Sequence, residues 1–117
     1  MFNHKQHKCI SACKECAAAC LRSAVACMQE NDSDAMLNCI ADDLDCAEMC
    51  ILTIHAMLRG GENLNAYYEM CADTCQNISL ESADRELELC QFCADMRARC
   101  ADACREVSIS AVVAEEQ

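Results

Sequence analysis

The residues of this chain that could do chemistry are its fourteen cysteines, spread over 117 residues. Cys9, Cys13, Cys16, Cys20 and Cys27 follow one another at intervals of 4, 3, 4 and 7. Cys39, Cys46 and Cys50 step by 7 and 4, Cys71 and Cys75 by 4, and Cys90, Cys93, Cys100 and Cys104 by 3, 7 and 4. Residues so spaced share one face of an α-helix. They take the a and d positions where a bundle helix ordinarily places leucine. Two sulfurs three or four residues apart on one face can share a metal ion, and soft thiolates select Cu(I), Zn(II) and iron–sulfur centres. The pattern predicts a core that is also a set of metal ligands.

Spacing helps to choose among the metals. Structural zinc wants four ligands converging tetrahedrally, generally from a knuckle with its own loop. Iron–sulfur ligation usually draws its cysteines from loops wrapping one cluster. Here no loop carries a CxxC pair, and the thiols are expected to continue along the helices without division into groups of four. Cu(I) accepts two or three thiolates and each thiolate can bridge two ions, so such a lining suits many Cu(I) ions, on the order of 10 or more per chain. Without metal the thiols stay protonated and pack as small apolar groups; bound cations neutralise thiolates as the protons leave.

Other readings compete with this one. A zinc or iron–sulfur helical protein is the alternative with metal. A structural helical module is the alternative without it, because free cysteine is among the most buried residue types. Disulfides fit poorly, since cysteines at i and i+4 on one helix do not usually present the Cβ approach that a disulfide needs. Most of the seven methionines read as core filler, but Met28 and Met36 flank the first turn and are candidate neutral, soft ligands. His4 and His7 read as solvated terminal residues, and His55 lies near a helix end. No Ser/His/Asp set, nucleotide loop or singled-out cysteine points to catalysis, so a non-enzymatic binding protein is expected.

The elements that must position these thiols are helical. Proline is absent, and the only two glycines are adjacent, Gly60-Gly61. Alanine, leucine, methionine, glutamate and arginine favour an all-α chain. The pattern breaks at Asn31–Asp34, whose side chains suit a helix cap, at Gly60-Gly61, a glycine stop, and at Ser79–Ser82. These breaks predict helices near 3–30, 33–59, 62–79 and 82–110 within a single metal-binding domain, 1–117. Short connections make successive helices antiparallel neighbours, giving an up-down-up-down four-helix bundle with a cysteine-lined core. Ser23, Asp43 and Arg97 also fall on the core stripes. Asp43 and Arg97 either pair with each other or lean out, because a buried charge is costly unless it is well satisfied.

Composition narrows the partners. The net charge of −11 argues against nucleic acid, whose phosphates this surface would repel. The apolar runs are too short for a membrane span. The polar segment before Cys9 holds no apolar stretch of a secretory signal, which predicts a cytoplasmic protein. Thiols there are kept reduced, so cysteines point to metal before disulfides.

The run Cys9-x3-Cys13-x2-Cys16-x3-Cys20, answered by Cys90-x2-Cys93-x6-Cys100-x3-Cys104, resembles the cysteine-rich four-helix-bundle copper storage proteins over nearly the whole chain. The lack of a leader resembles their cytosolic branch. The resemblance implies a core that stores many Cu(I) ions through cysteine thiolates. It also implies a homo-oligomer, often a tetramer. Apart from the resemblance, the expected partners of a copper-binding chain are a copper-delivery protein or a small-molecule chelator. This chain departs from the pattern at Arg97, where the family often has cysteine, and at Glu86-Leu87-Glu88-Leu89, where the family has histidines. One bundle end should gather Cys27, Met28, Met36, Cys39 and Cys90; the other should gather His4, His7, His55, Met57, Tyr67, Tyr68 and Cys104. Residue chemistry leaves the copper mouth open between the two. The resemblance puts it at the first end, beside the start of the fourth helix.

Overall fold

Asn3 opens the first helix with a reciprocal cap. Its side-chain oxygen accepts the Gln6 amide at 2.8 Å, and the Gln6 side chain accepts the Asn3 amide at 2.9 Å, satisfying donors that a bare helix start leaves unpaired. The computed structural model describes residues 2–30, 33–82 and 88–116, with side chains over 2–30, 36–78, 88 and 90–108. Within them run α1 (His4–Met28), α2 (Ser33–Arg59), α3 (Leu64–Ser82) and α4 (Glu88–Glu116).

Gly60 ends α2 in the left-handed conformation, with φ at 67°. The Gly60 amide donates to the Met57 carbonyl at 3.1 Å and the Gly61 amide to the Ala56 carbonyl at 3.2 Å. This is the paired closure of a Schellman motif, which satisfies carbonyls the last turn would leave bare. At the other break the structure differs from the sequence expectation. Residues Ser79–Ser82 continue α3, because no glycine or proline stops the helix there. The connection that follows, 83–87, lies outside the described residues.

Each helix packs on its two neighbours, α1 on α2 and α4, and α3 on α2 and α4. The rod measures 54 × 24 × 19 Å. Contacts fix the antiparallel sense. Going up α1, Cys9 meets Cys104 and Cys13 meets Cys100, while Cys16 meets Cys46 and Cys27 meets Cys39 on α2. Exposed ion pairs, Lys8–Glu106 at 3.2 Å and Arg105–Asp73 at 3.0 Å, tie α4 to its neighbours and contribute little stability.

Between the sulfurs the core is filled with alanine, including Ala17, Ala19, Ala47, Ala72, Ala101 and Ala103. Such small side chains let the helices approach until thiols from different helices touch. The end where α1 begins is closed by large groups. Ile10, Ile54, Met57, Tyr68 and Val107 are buried there, with Phe2 and Leu64 packed against them.

Candidate metal centre

All fourteen cysteines are buried and free. From the closed end upward, Cys9 and Cys104 stand 3.6 Å apart, Cys13 and Cys100 3.6 Å, and Cys50 and Cys100 3.8 Å. Cys71 lies 4.0 Å from both Cys50 and Cys100. Above them Cys75 sits 3.3 Å from Cys46 and 3.9 Å from Cys50, and Cys46 is 3.7 Å from Cys16. Cys93 donates to the Ala19 carbonyl at 2.9 Å. At the end where α4 begins, Cys39 is 3.1 Å from Cys27 and 3.6 Å from Cys90.

Four groupings bring their sulfurs within 4.8 Å of one another: Cys13, Cys71, Cys100 and Cys104; Cys16, Cys46, Cys50 and Cys75; Cys50, Cys71, Cys75 and Cys100; and Cys27, Cys39 and Cys90. The third quartet borrows two members from each of the first two. Tetrahedral ions in all three quartets would have to share every sulfur of the middle one, so the quartets are not three separate four-ligand sites. A soft ion that accepts only two or three bridging thiolates suits such a shared set.

The trio at the α4 start forms a separate cluster, with Met36 and Ile40 packed against it. The expected uninterrupted stripe is therefore corrected. The sulfurs divide into a trio and a larger set, because Ser23, Asp43 and Arg97, each 1% exposed, take core positions between them. Of the two alternatives for the charged residues, pairing is what the structure has. Arg97 Nη2 donates to Asp43 Oδ1 in a buried ion pair, and Cys39 donates toward Asp43 Oδ2 at 3.8 Å. Ser23 lies beside the thiols of Cys90 and Cys93.

The two methionines differ in placement. Met36 is half-buried against the trio, whereas Met28 is 55% exposed and outside that cluster. His4, His7 and His55 are exposed, and His7 packs edge-on against Phe2. The grouping of the trio was legible in the bundle topology. The dividing layer was signalled by three polar residues on core stripes, which become one level only when the helices are aligned.

Electrostatics follow from dryness. Burial, with Cys39 adding to it, pushes the Cys27 thiol up to about 12, and burial likewise raises Cys90. Crowding by Cys16 and Cys46 raises Cys20, and crowding by Cys104 and Cys13 raises Cys100. Cys93 is lowered by its contact with Cys20 and, more weakly, by Ser23 and the Arg97 charge. Burial works against the Arg97 guanidinium, but Cys20, Asp43 and Cys46 more than offset it and hold the group charged.

Comparison with known proteins agrees with this geometry. The chain is 31% identical over 100 residues to the uncharacterized cysteine-rich protein YhjQ of Bacillus subtilis (strain 168), an alignment spanning 86% of this chain and 93% of that protein. Its fold matches the Cu(I)-bound copper storage protein BsCsp3 with a TM-score of 0.85 at 30% identity, covering 90% of this chain and 99% of the other. It matches a cytosolic copper storage protein from Streptomyces lividans carrying five coppers with a TM-score of 0.84 at 31% identity, covering 90% and 92%. The pattern of the family described as Csp, copper storage protein, spans residues 2–109. With its thiols, its bundle and its sequence in agreement, the chain belongs to the copper storage protein family.

Proposed function

We infer that this protein takes up and stores multiple Cu(I) ions through the cysteine thiolates lining its bundle core. One observation carries the reading: fourteen free, buried thiols line the core, and eleven of them stand in groups of three or four whose sulfurs are already close enough to share ions. Cu(I) is the ion that such sharing suits, because it accepts few ligands and tolerates bridging thiolates. Each ion that enters replaces protons, so the core exchanges one positive charge for another and avoids unpaired thiolates. The role is storage, with binding and release as its only steps.

All fourteen cysteines serve as ligands in this reading. Met36 and, from the rim, Met28 receive Cu(I) at the end where Cys27, Cys39 and Cys90 gather. The opposite end is stoppered by Tyr68 and Met57, which supports placing the mouth here. Anaerobic Cu(I) titration of the reduced protein against a strong chelator tests the function, and saturation at one or two ions would contradict it.

The protein works in the cytosol, as its Streptomyces lividans relative is described to do. No described helix is long and apolar enough to cross a membrane. It acts as a homo-oligomer, a tetramer by family resemblance. Leu37, Leu44, Ile51 and Leu58, seven residues apart on α2, are exposed, and such an outward stripe gains by burial against another copy. A solution mass equal to one chain would contradict this assembly. Copper arrives from a delivery protein or a small-molecule chelator, because free Cu(I) would be scavenged by the first thiol it met.

A further inference from the structure

The sulfur core is cut in two by charge. Ser23 stands between Cys20 and Cys27 on α1, Asp43 between Cys39 and Cys46 on α2, and Arg97 between Cys93 and Cys100 on α4. Side chains on a helix tilt toward its N-terminus, which on α4 is the end where Cys27, Cys39 and Cys90 gather. Arg97 therefore roots below Cys93 and reaches up to Asp43. On either side of this pair, the sulfur contacts stay within one set. Cys27 and Cys90 both touch Cys39, while the inner contacts run from Cys16, Cys46 and Cys75 down to Cys9 and Cys104.

The pair is also polarised. Its carboxylate accepts from Cys39 of the outer trio, and its guanidinium interacts electrostatically with Cys20 and Cys46 of the inner set. A carboxylate beside the trio attracts an arriving cation. A guanidinium cannot shed its proton, so an ion moving inward next meets a fixed positive charge in a medium that screens poorly. Arg97 also fills the volume through which the ion would travel, being the largest fully buried side chain among the described residues.

We propose that the Asp43–Arg97 ion pair is an internal barrier that separates a receiving site, Cys27, Cys39 and Cys90, from the store formed by the remaining eleven cysteines, so that Cu(I) fills the two compartments in distinct kinetic steps. Arg97 and Asp43 act here as positioning residues that set the rate of transfer inward. The inference rests on the Cu(I) storage reading, and the experiment separates the two.

The test is stopped-flow mixing of the reduced full-length protein with a Cu(I)–chelator complex under anaerobic conditions. Cu(I)–thiolate absorbance follows the time course, and total bound copper is measured at the end. The wild type should fill in a fast phase of small amplitude and a slower phase of large amplitude. Replacing the pair with apolar groups, Asp43→Leu with Arg97→Met, should speed the slow phase by about tenfold, equivalent to ~1.4 kcal/mol of barrier, and leave the total copper unchanged. Arg97→Lys, which keeps a cation in place, should retain both phases. Cys27→Ser supplies an independent arm at a trio residue whose thiol bonds to Cys39 and not to the pair: it should abolish the fast phase while the slow amplitude persists. A single phase in the wild type would overturn the barrier, as would an unchanged slow phase in the folded double variant or a proportional loss of both phases in Cys27→Ser. Total copper of only one or two ions in the wild type would instead overturn the storage reading itself.

Discussion

Cys50 on α2 and Cys100 on α4 meet across the diagonal of the bundle, with their sulfurs 3.8 Å apart. Diagonal helices of a bundle are ordinarily held apart by large side chains on the axis. Here the axis is sulfur, flanked by alanine, so helices that share no side of the bundle still touch through their thiols. Protonated thiols pack as small apolar groups, and this contact needs no metal. The reduced, metal-free protein should therefore show the far-ultraviolet circular dichroism of a helical bundle, with Cu(I) raising the melting temperature by mass action. Random coil without metal would place it with domains that fold only around their ion.

Stability should fall in alkali. Burial holds the Cys27 thiol above its ordinary 9.0, up to about 12, and raises Cys90 as well. Burial also pushes the Tyr68 hydroxyl from 10.0 to about 12. For each group the folded state keeps a proton that the unfolded chain has begun to lose. Unfolding then releases protons, and stability declines as pH rises. The stabilisation is complete below about pH 9 and lost progressively toward pH 12. Urea unfolding of the reduced metal-free protein across this range checks the sign, and a flat or rising profile would contradict it.

Gly60 offers a clean backbone test. Nothing lies within 4 Å of where a Cβ would sit, and its φ is 67°, so the cost of a side chain is purely conformational. Gly60→Ala should destabilise the metal-free protein by about 1–2 kcal/mol, measured by chemical denaturation. The copper number should not change, because the turn holds no ligand.

Much of this molecule could be read from spacing alone. Intervals of 3, 4 and 7 put every cysteine on a core face, and the short turns gave the antiparallel order that gathers Cys27, Cys39 and Cys90. The limit of α3 was harder to see, because a Ser-Leu-Glu-Ser stretch caps one helix as readily as it extends another. The division of the sulfurs was hidden for a different reason. Asp43 and Arg97 each look like an isolated polar residue on an apolar stripe, and only a contact between residues 54 positions apart turns them into a layer. Pairing of that kind depends on helix alignment to within a single turn, which composition and periodicity do not supply.

The methionines test the mouth. Met36 packs on the trio and Met28 stands exposed at the end of α1. Replacing both with leucine conserves volume and removes two soft donors, so Cu(I) uptake should slow while the final copper number stays nearly intact. Uptake that is unchanged in this variant, yet slows on replacing His4, His7 and His55, would move the mouth to the opposite end.

The most direct test of storage is the copper number itself. Reduced protein titrated anaerobically with Cu(I), in competition with a strong chelator, should bind on the order of 10 or more ions per chain, because bridging lets fourteen thiolates hold nearly as many ions. Saturation at one or two ions would show that the cysteines of this bundle pack rather than store.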